Sequence, residues 1–282
     1  MADVRVIERD RRDLLGEGPL WSAREGALYW TDILAGRLNR LDPATGVVTS
    51  REFGGYLGWA IEREGGGLVA GLDRRIVTID GDAATTLADL PGEPEGNRVN
   101  DAKADALGRL WFGTMPIAID HPSGAFYRLD LGGAVAKVDA PYTIANGPAI
   151  TPDARSLFHT DTALRTIFRF AVNDDGSLGP REPFVVFEDG WGNPDGMNLD
   201  AEGCLWVACW GAGCVTRFTP EGARERSIAL PASQITCCTF AGEALDRMYV
   251  TSASVDCADP LGGSLFEVDP GCRGVPACRF AG

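Results

Sequence analysis

A chain of 282 residues with 45% hydrophobic content, 36 glycines and 17 prolines can bury an extensive core and make many tight turns. Its formal net charge of −14, with no basic stripe, argues against nucleic acid and anionic membranes as partners. No apolar run approaches bilayer length, and residues 1–6 lack a basic segment followed by an apolar one, so a cytoplasmic location is expected.

In chain order, six short apolar runs recur: Leu28-Tyr29-Trp30, Leu68-Val69-Ala70, Leu110-Trp111-Phe112, Leu157-Phe158-His159, Leu205-Trp206-Val207 and Met248-Tyr249-Val250. The steps between them are 40, 42, 47, 48 and 43 residues. Each is followed by a partner run with alternating apolar residues, from Leu38-Asn39-Arg40-Leu41 to Leu265-Phe266-Glu267-Val268. A period of this size, made of short β segments with no room for long helices, predicts propeller blades. The expected architecture is all-β: a six-bladed β-propeller of four-stranded blades around a central channel. No Pro/Ser-rich linker or charge run breaks the chain, so residues 1–282 read as a single domain, closed by its N- and C-terminal strands.

In such a ring, equivalent ends of the innermost strands converge. Counting back 10 or 11 residues from each apolar run reaches Glu17, Asn100, Asn146 and Asp195, with Gly58 and Cys237 or Cys238 at the two other positions. Four oxygen-bearing side chains in one register suit a hard cation, which takes carboxylate and amide oxygens. Three of them, in Glu17-Gly18, Asn146-Gly147 and Asp195-Gly196, precede a glycine, which suggests a shared task. Arg98 and Asn100 alternate onto one face of an extended segment and suit the hydroxyls of a polar substrate, with Asp101 turned the other way.

Other chemistries fail on inventory. Only His121 and His159 supply imidazoles, and no G-x-S-x-G elbow is present, which weighs against serine-histidine catalysis. His121 lies in an insertion after Met115 that reads as a loop over the channel mouth, and His159 lies in a strand and reads as structural. The eight cysteines form no CxxC pair and read mostly as small buried hydrophobes. No phosphate-cradling loop or dinucleotide fingerprint appears, so no organic cofactor is expected.

Leu15-Gly16-Glu17-Gly18-Pro19, Arg98-Val99-Asn100-Asp101, Gly113-Thr114-Met115, Asn146-Gly147-Pro148, His159-Thr160-Asp161-Thr162 and Pro194-Asp195-Gly196 occur in this order along nearly the whole chain. Together they resemble the senescence marker protein (regucalcin)/gluconolactonase family of sugar-lactone hydrolases, six-bladed propellers with one catalytic divalent metal. The resemblance implies that Glu17, Asn146 and Asp195 are metal ligands and that Asp195 is also the candidate general base. It implies that Asn100 holds substrate or a water near the metal, and that Arg98 binds substrate. The implied cofactor is one divalent cation: calcium, zinc, manganese, magnesium or ferrous iron. The implied reaction is metal-dependent hydrolysis of a pentono- or glucono-lactone to the aldonic acid, by a monomer or weak homo-oligomer. The alternatives are a promiscuous metal-dependent lactonase or phosphotriesterase and a non-catalytic calcium-binding propeller. Where some animal members carry an acidic substrate contact after Gly-Thr-Met, this chain has Pro116, Ile117 and Ala118, which leaves the sugar open.

Overall fold

Each apolar run becomes the second strand of a four-stranded antiparallel sheet, and six such sheets form the blades of a six-bladed β-propeller. The computed structural model describes residues 4–282, so Met1, Ala2 and Asp3 of the N-terminal reading lie outside the described residues. The innermost strands are Gly16–Ser22, Leu57–Glu62, Asn97–Ala104, Ala145–Ile150, Asn193–Leu199 and Ile235–Ala241, here numbered blades I to VI. In blade VI the outermost strand is Val4–Ile7, which pairs antiparallel with Leu265–Val268 and so joins the two ends of the chain in one sheet. Among the described residues the one helical segment is the single 3-10 turn Thr162–Leu164, and no helix is long and apolar enough to cross a membrane.

Position within the blade explains the composition of each strand. The second strands Ala27–Asp32 and Leu110–Pro116 are buried at every residue, because both of their faces pack against neighbouring sheets. The outermost strands Val47–Glu52 and Ala83–Asp89 contain no buried residue and carry the polar sequence. Trp30, Trp59, Trp111 and Trp206 are nearly inaccessible between blades. Truncating such a residue to alanine costs about 3–5 kcal/mol through lost burial and the cavity left behind.

Two repeated devices hold the innermost strands. At one end, an aspartate that closes the second strand or directly follows it accepts backbone N–H bonds from residues 17 or 18 positions earlier: Asp32 from Leu14 and Leu15, Asp73 from Tyr56, and Asp161 from Thr143 and Ile144. These bonds pin the chain just before Glu17, Gly58 and Asn146. At the other end, Asp105 and Asp200 each accept from two backbone N–H groups, an arginine Nε and the indole Nε1 of Trp111 or Trp206. Both buried carboxylates are thereby fully bonded, which offsets their removal from water.

All six innermost strands also lose regular pairing in the same stretch, between Glu17 and Leu20, Leu57 and Trp59, Val99 and Ala102, Asn146 and Ala149, Pro194 and Met197, and Ile235 and Cys237. A bulge of this kind re-aims side chains and bends the strand. In blade VI the residue inside the irregularity is Thr236, and Cys237, which the count from Met248 reached, pairs with Thr251 as Glu17 pairs with Thr31 and Asn146 with Thr160. Thr236 itself points its hydroxyl to the Gly16 carbonyl of blade I, at 2.6 Å.

Candidate metal and catalytic site

The bulges collect the predicted residues around one end of the channel. A hydrogen-bonded chain runs from blade III to blade V. Arg98 donates from Nη1 to Asn100 Oδ1 at 2.6 Å, and Asn100 donates from Nδ2 to Asn146 Oδ1 and to the Ala145 carbonyl, each at 2.7 Å. Asn146 Nδ2 donates to Thr162 Oγ1 at 2.8 Å, and the Thr162 hydroxyl donates to the Pro194 carbonyl at 2.7 Å, immediately before Asp195. Each amide is therefore held in one orientation, with its nitrogen spent on protein acceptors. Asn146 Oδ1 keeps a second lone pair.

Glu17 closes the ring from blade I. Its Oε2 accepts the Gly18 N–H at 2.9 Å, and its charge acts on the Asp195 carboxyl across the channel. Asp101 accepts N–H bonds from Ala102 at 2.7 Å and Gly147 at 3.1 Å, tying the strand of Asn100 to that of Asn146. Asp101 is not turned away from the site as expected: it is buried, and its charge acts on both Glu17 and Asp195.

The glycines beside three of these residues do two different jobs. Gly147 has φ of 73°, a left-handed conformation that the bulge requires and that side chains disfavour. Gly196 is instead a point of close approach, since a Cβ there would lie 2.3 Å from Cys237 Sγ. The shared dipeptide is thus one sequence pattern with two physical causes.

Electrostatically the site is an excess of buried negative charge. Burial, then repulsion from Glu17 and Asp101, pushes the Asp195 carboxyl well above the usual carboxylate range. Burial, then the charge of Asp101, raises Glu17, while Lys103 and Arg98 oppose the rise. Burial alone raises Asp101. Arg98 is drawn down to about 10 by burial, against the pull of Glu17, Tyr56 and Asp195. Asp195 Oδ1 is buried without any hydrogen-bond donor. An acceptor stripped of water and left unbonded, beside a second carboxylate, is a costly arrangement that a cation relieves. Two carboxylates with amide oxygens are the donor set of a hard divalent ion, so these residues fit the implied metal. Among the described residues no three His, Cys, Asp or Glu side chains cluster as a metal site, and amide oxygens are needed to complete this one.

Three participants lie outside the four register positions. Thr162 orients Asn146, Lys103 puts a cation near Glu17 and Asp101, and the Tyr56 ring lies 6.0 Å from the Arg98 guanidinium. The signal for Thr162 was its place directly after Asp161, whose counterpart Asp32 closes the equivalent strand of blade I. His121 is exposed and bonded to Asp120 on the insertion, at 2.6 Å. His159 is buried and stacked on Phe126, with Tyr142 at its edge and neither ring nitrogen hydrogen-bonded, as a structural residue would be.

The sequence profile of the SMP-30/gluconolactonase/LRE-like region matches residues 15–254, and the chain belongs to this family. It is 36% identical over 295 residues to a pentonolactonase of Haloferax volcanii, covering 99% of this chain and 98% of that one. It is also 36% identical over 278 residues to a 6-deoxy-6-sulfogluconolactonase of Pseudomonas putida, covering 95% and 96%. Among solved structures, a calcium-binding protein described as regucalcin, from Agrobacterium tumefaciens, superposes with a TM-score of 0.92 at 28% identity over 99% of this chain and 97% of that one.

Proposed function

We propose that this chain hydrolyses a sugar lactone to the corresponding aldonic acid, using one divalent cation held by Glu17, Asn146 and Asp195. The observation that carries the reading is the buried Asp195 Oδ1 with no donor, facing Glu17 at the end of the Arg98–Asn100–Asn146 chain. The lactonase names of the two relatives support the substrate class, and the calcium-binding description of the solved neighbour supports a cation. Calcium is the first ion to test, because every candidate ligand is an oxygen.

When bound, the cation supplies a Lewis acid for the lactone carbonyl. The protein's own part is positioning and proton transfer. Asp195 accepts the proton of the attacking water and returns it to the ring oxygen as the ester bond opens. Arg98 has Nη1 committed to Asn100 and the Val99 carbonyl, leaving its other N–H groups for sugar hydroxyls. Asn100 transmits that anchorage to Asn146, so substrate recognition and the cation ligands share one network.

The test is acid release from a panel of pentono- and glucono-lactones, followed with a pH indicator, on protein stripped by chelator and resupplied with calcium, manganese or zinc. Turnover that needs a resupplied ion is expected. Undiminished hydrolysis after chelation would exclude the metal, and no turnover of any aldonolactone would exclude the substrate class.

A further inference from the structure

The hairpin of blade V carries a pair of thiols that the lactonase reading does not use. Cys209 is the last but one residue of the strand Leu205–Trp210 and Cys214 the first of Cys214–Phe218, directly opposite each other in the antiparallel register on either side of Gly211-Ala212-Gly213. Both thiols reach the same hydroxyl, Thr216 Oγ1, Cys209 Sγ at 3.4 Å and Cys214 Sγ at 3.7 Å. That hydroxyl is bonded in turn to Ser227 Oγ at 2.8 Å. Directly opposed residues of an antiparallel pair have Cα atoms about 4.5–5.5 Å apart, inside the range of about 4.4–6.8 Å that a disulfide spans. Their Cβ atoms, about 4.5–5.5 Å apart, need to close by about 1 Å, which the end of a hairpin with glycines in its turn can absorb.

Among the described residues no other two cysteines stand directly opposite each other in a strand pair. Cys237 and Cys238 are adjacent but lie on opposite faces of one strand, Cys237 against Gly196 and Cys238 towards the Trp206 carbonyl. Cys272 is turned to Asp200, and Cys257 to Ser233 and Asp259.

We propose that Cys209 and Cys214 form a redox-modifiable dithiol site that a two-electron oxidant such as hydrogen peroxide closes to a cross-strand disulfide. The two thiols are inequivalent. Cys209 is 1% exposed, whereas Cys214, next to the exposed glycine turn, is 8% exposed and is the thiol an oxidant meets first. Cys214 is thus the attacking thiol and Cys209 the resolving one, and the side-chain interaction with Cys209, outweighing burial, pulls Cys214 below its ordinary range in the same sense. In the first step the Cys214 sulfur attacks a peroxide oxygen, the O–O bond breaks, and hydroxide leaves as Cys214 becomes a sulfenic acid. In the second, the Cys209 sulfur attacks the sulfenic sulfur, the S–S bond forms and the S–O bond breaks. The departing hydroxide takes the Cys209 proton as water. Two thiols are oxidised and one peroxide is reduced to two waters. The turn at Gly211 is exposed, which gives a small oxidant access to the pair.

The experiment is peroxide titration of the full chain, followed by blocking of free thiols, reduction, a second distinguishable alkylation and peptide mapping. One equivalent of peroxide should yield a product lighter by two hydrogen atoms, with the second label confined to Cys209 and Cys214 and reversed by dithiothreitol. The Cys209→Ser variant should stop at a sulfenic acid on Cys214, captured by a dimedone-type probe. A first disulfide between any other cysteines, or oxidation of Cys214 no faster than that of Cys204 or Cys278, would overturn the assignment. The wild-type map decides this even if the variant folds poorly.

Discussion

Replacing Glu17 by glutamine should make the metal-free protein more stable while removing its stabilisation by a cation. Glu17 is 5% exposed, and burial, followed by the charge of Asp101, pushes its carboxyl from 4.5 up to about 8. Between these values the metal-free native chain holds a proton that the unfolded chain releases, so stability is highest below about 4.5 and falls as pH rises towards 8. At pH 7 the unfolded carboxyl is ionised about 2.5 pH units above its ordinary 4.5, a cost to the native state of about 3 kcal/mol at about 1.4 kcal/mol per pH unit. Glutamine carries no such cost. Its carbonyl still accepts the Gly18 N–H. The assay is urea unfolding of both proteins in chelator at about pH 5 and pH 7, then with saturating calcium. The variant should unfold later than wild type at pH 7, the two should draw together near pH 5, and calcium should raise only the wild-type midpoint. A variant less stable than wild type in chelator at pH 7 would refute the reasoning. So would metal-free wild type whose stability does not decline over that pH range.

Asp195→Asn, measured at saturating metal, should lose about 10²-fold or more of kcat, because an amide cannot accept the water's proton. Wild-type kcat in that variant would move the base elsewhere, to Asp120 or His121. Thr162→Val leaves Asn146 Nδ2 and the Pro194 carbonyl without their bonds and should cost about 2 kcal/mol in urea unfolding, with weaker cation binding that Thr162→Ser restores. His159 is buried, and burial, then the charge of Arg181, lowers its pKa well below 6.5. Below that pH the unfolded chain takes up a proton that the native chain refuses, so wild-type stability should fall by up to about 1.4 kcal/mol per pH unit. His159→Leu should lose this part of the acid dependence, as parallel urea titrations at about pH 6.5 and pH 5 would show.

The ring was legible in the sequence because its cause is local. A second strand packed on both faces has to be apolar throughout, and an outer strand in water does not, so each blade writes its own buried run, from Leu28-Tyr29-Trp30 to Met248-Tyr249-Val250. The convergence of Asn100 with Asn146, and of Glu17 with Asp195, follows from the same repeat, since equivalent ends of innermost strands meet on the axis. What stayed hidden depends on partners distant in sequence. The bulge in blade VI turns on Thr236, whose hydroxyl bonds the Gly16 carbonyl of blade I, 220 residues away in sequence. Nothing near Arg98 reveals that one of its nitrogens is spent on the side chain two residues later, whose amide in turn reaches a residue 46 positions on.

The part played by Thr162 illustrates the limit most clearly. Its neighbour Asp161 repeats the job of Asp32, bonding the backbone ahead of an innermost strand, and that pattern recurs because every blade must hold its first strand. Thr162 instead bridges Asn146 of its own blade to Pro194 of the next, a need that arises only where the two proposed ligand positions must keep one spacing. A repeating scaffold advertises itself through repetition. A site built on that scaffold breaks the repetition, blade by blade, so its residues are most readily found as departures: Glu17, Asn100, Asn146 and Asp195 against Gly58 and Cys237 in one register.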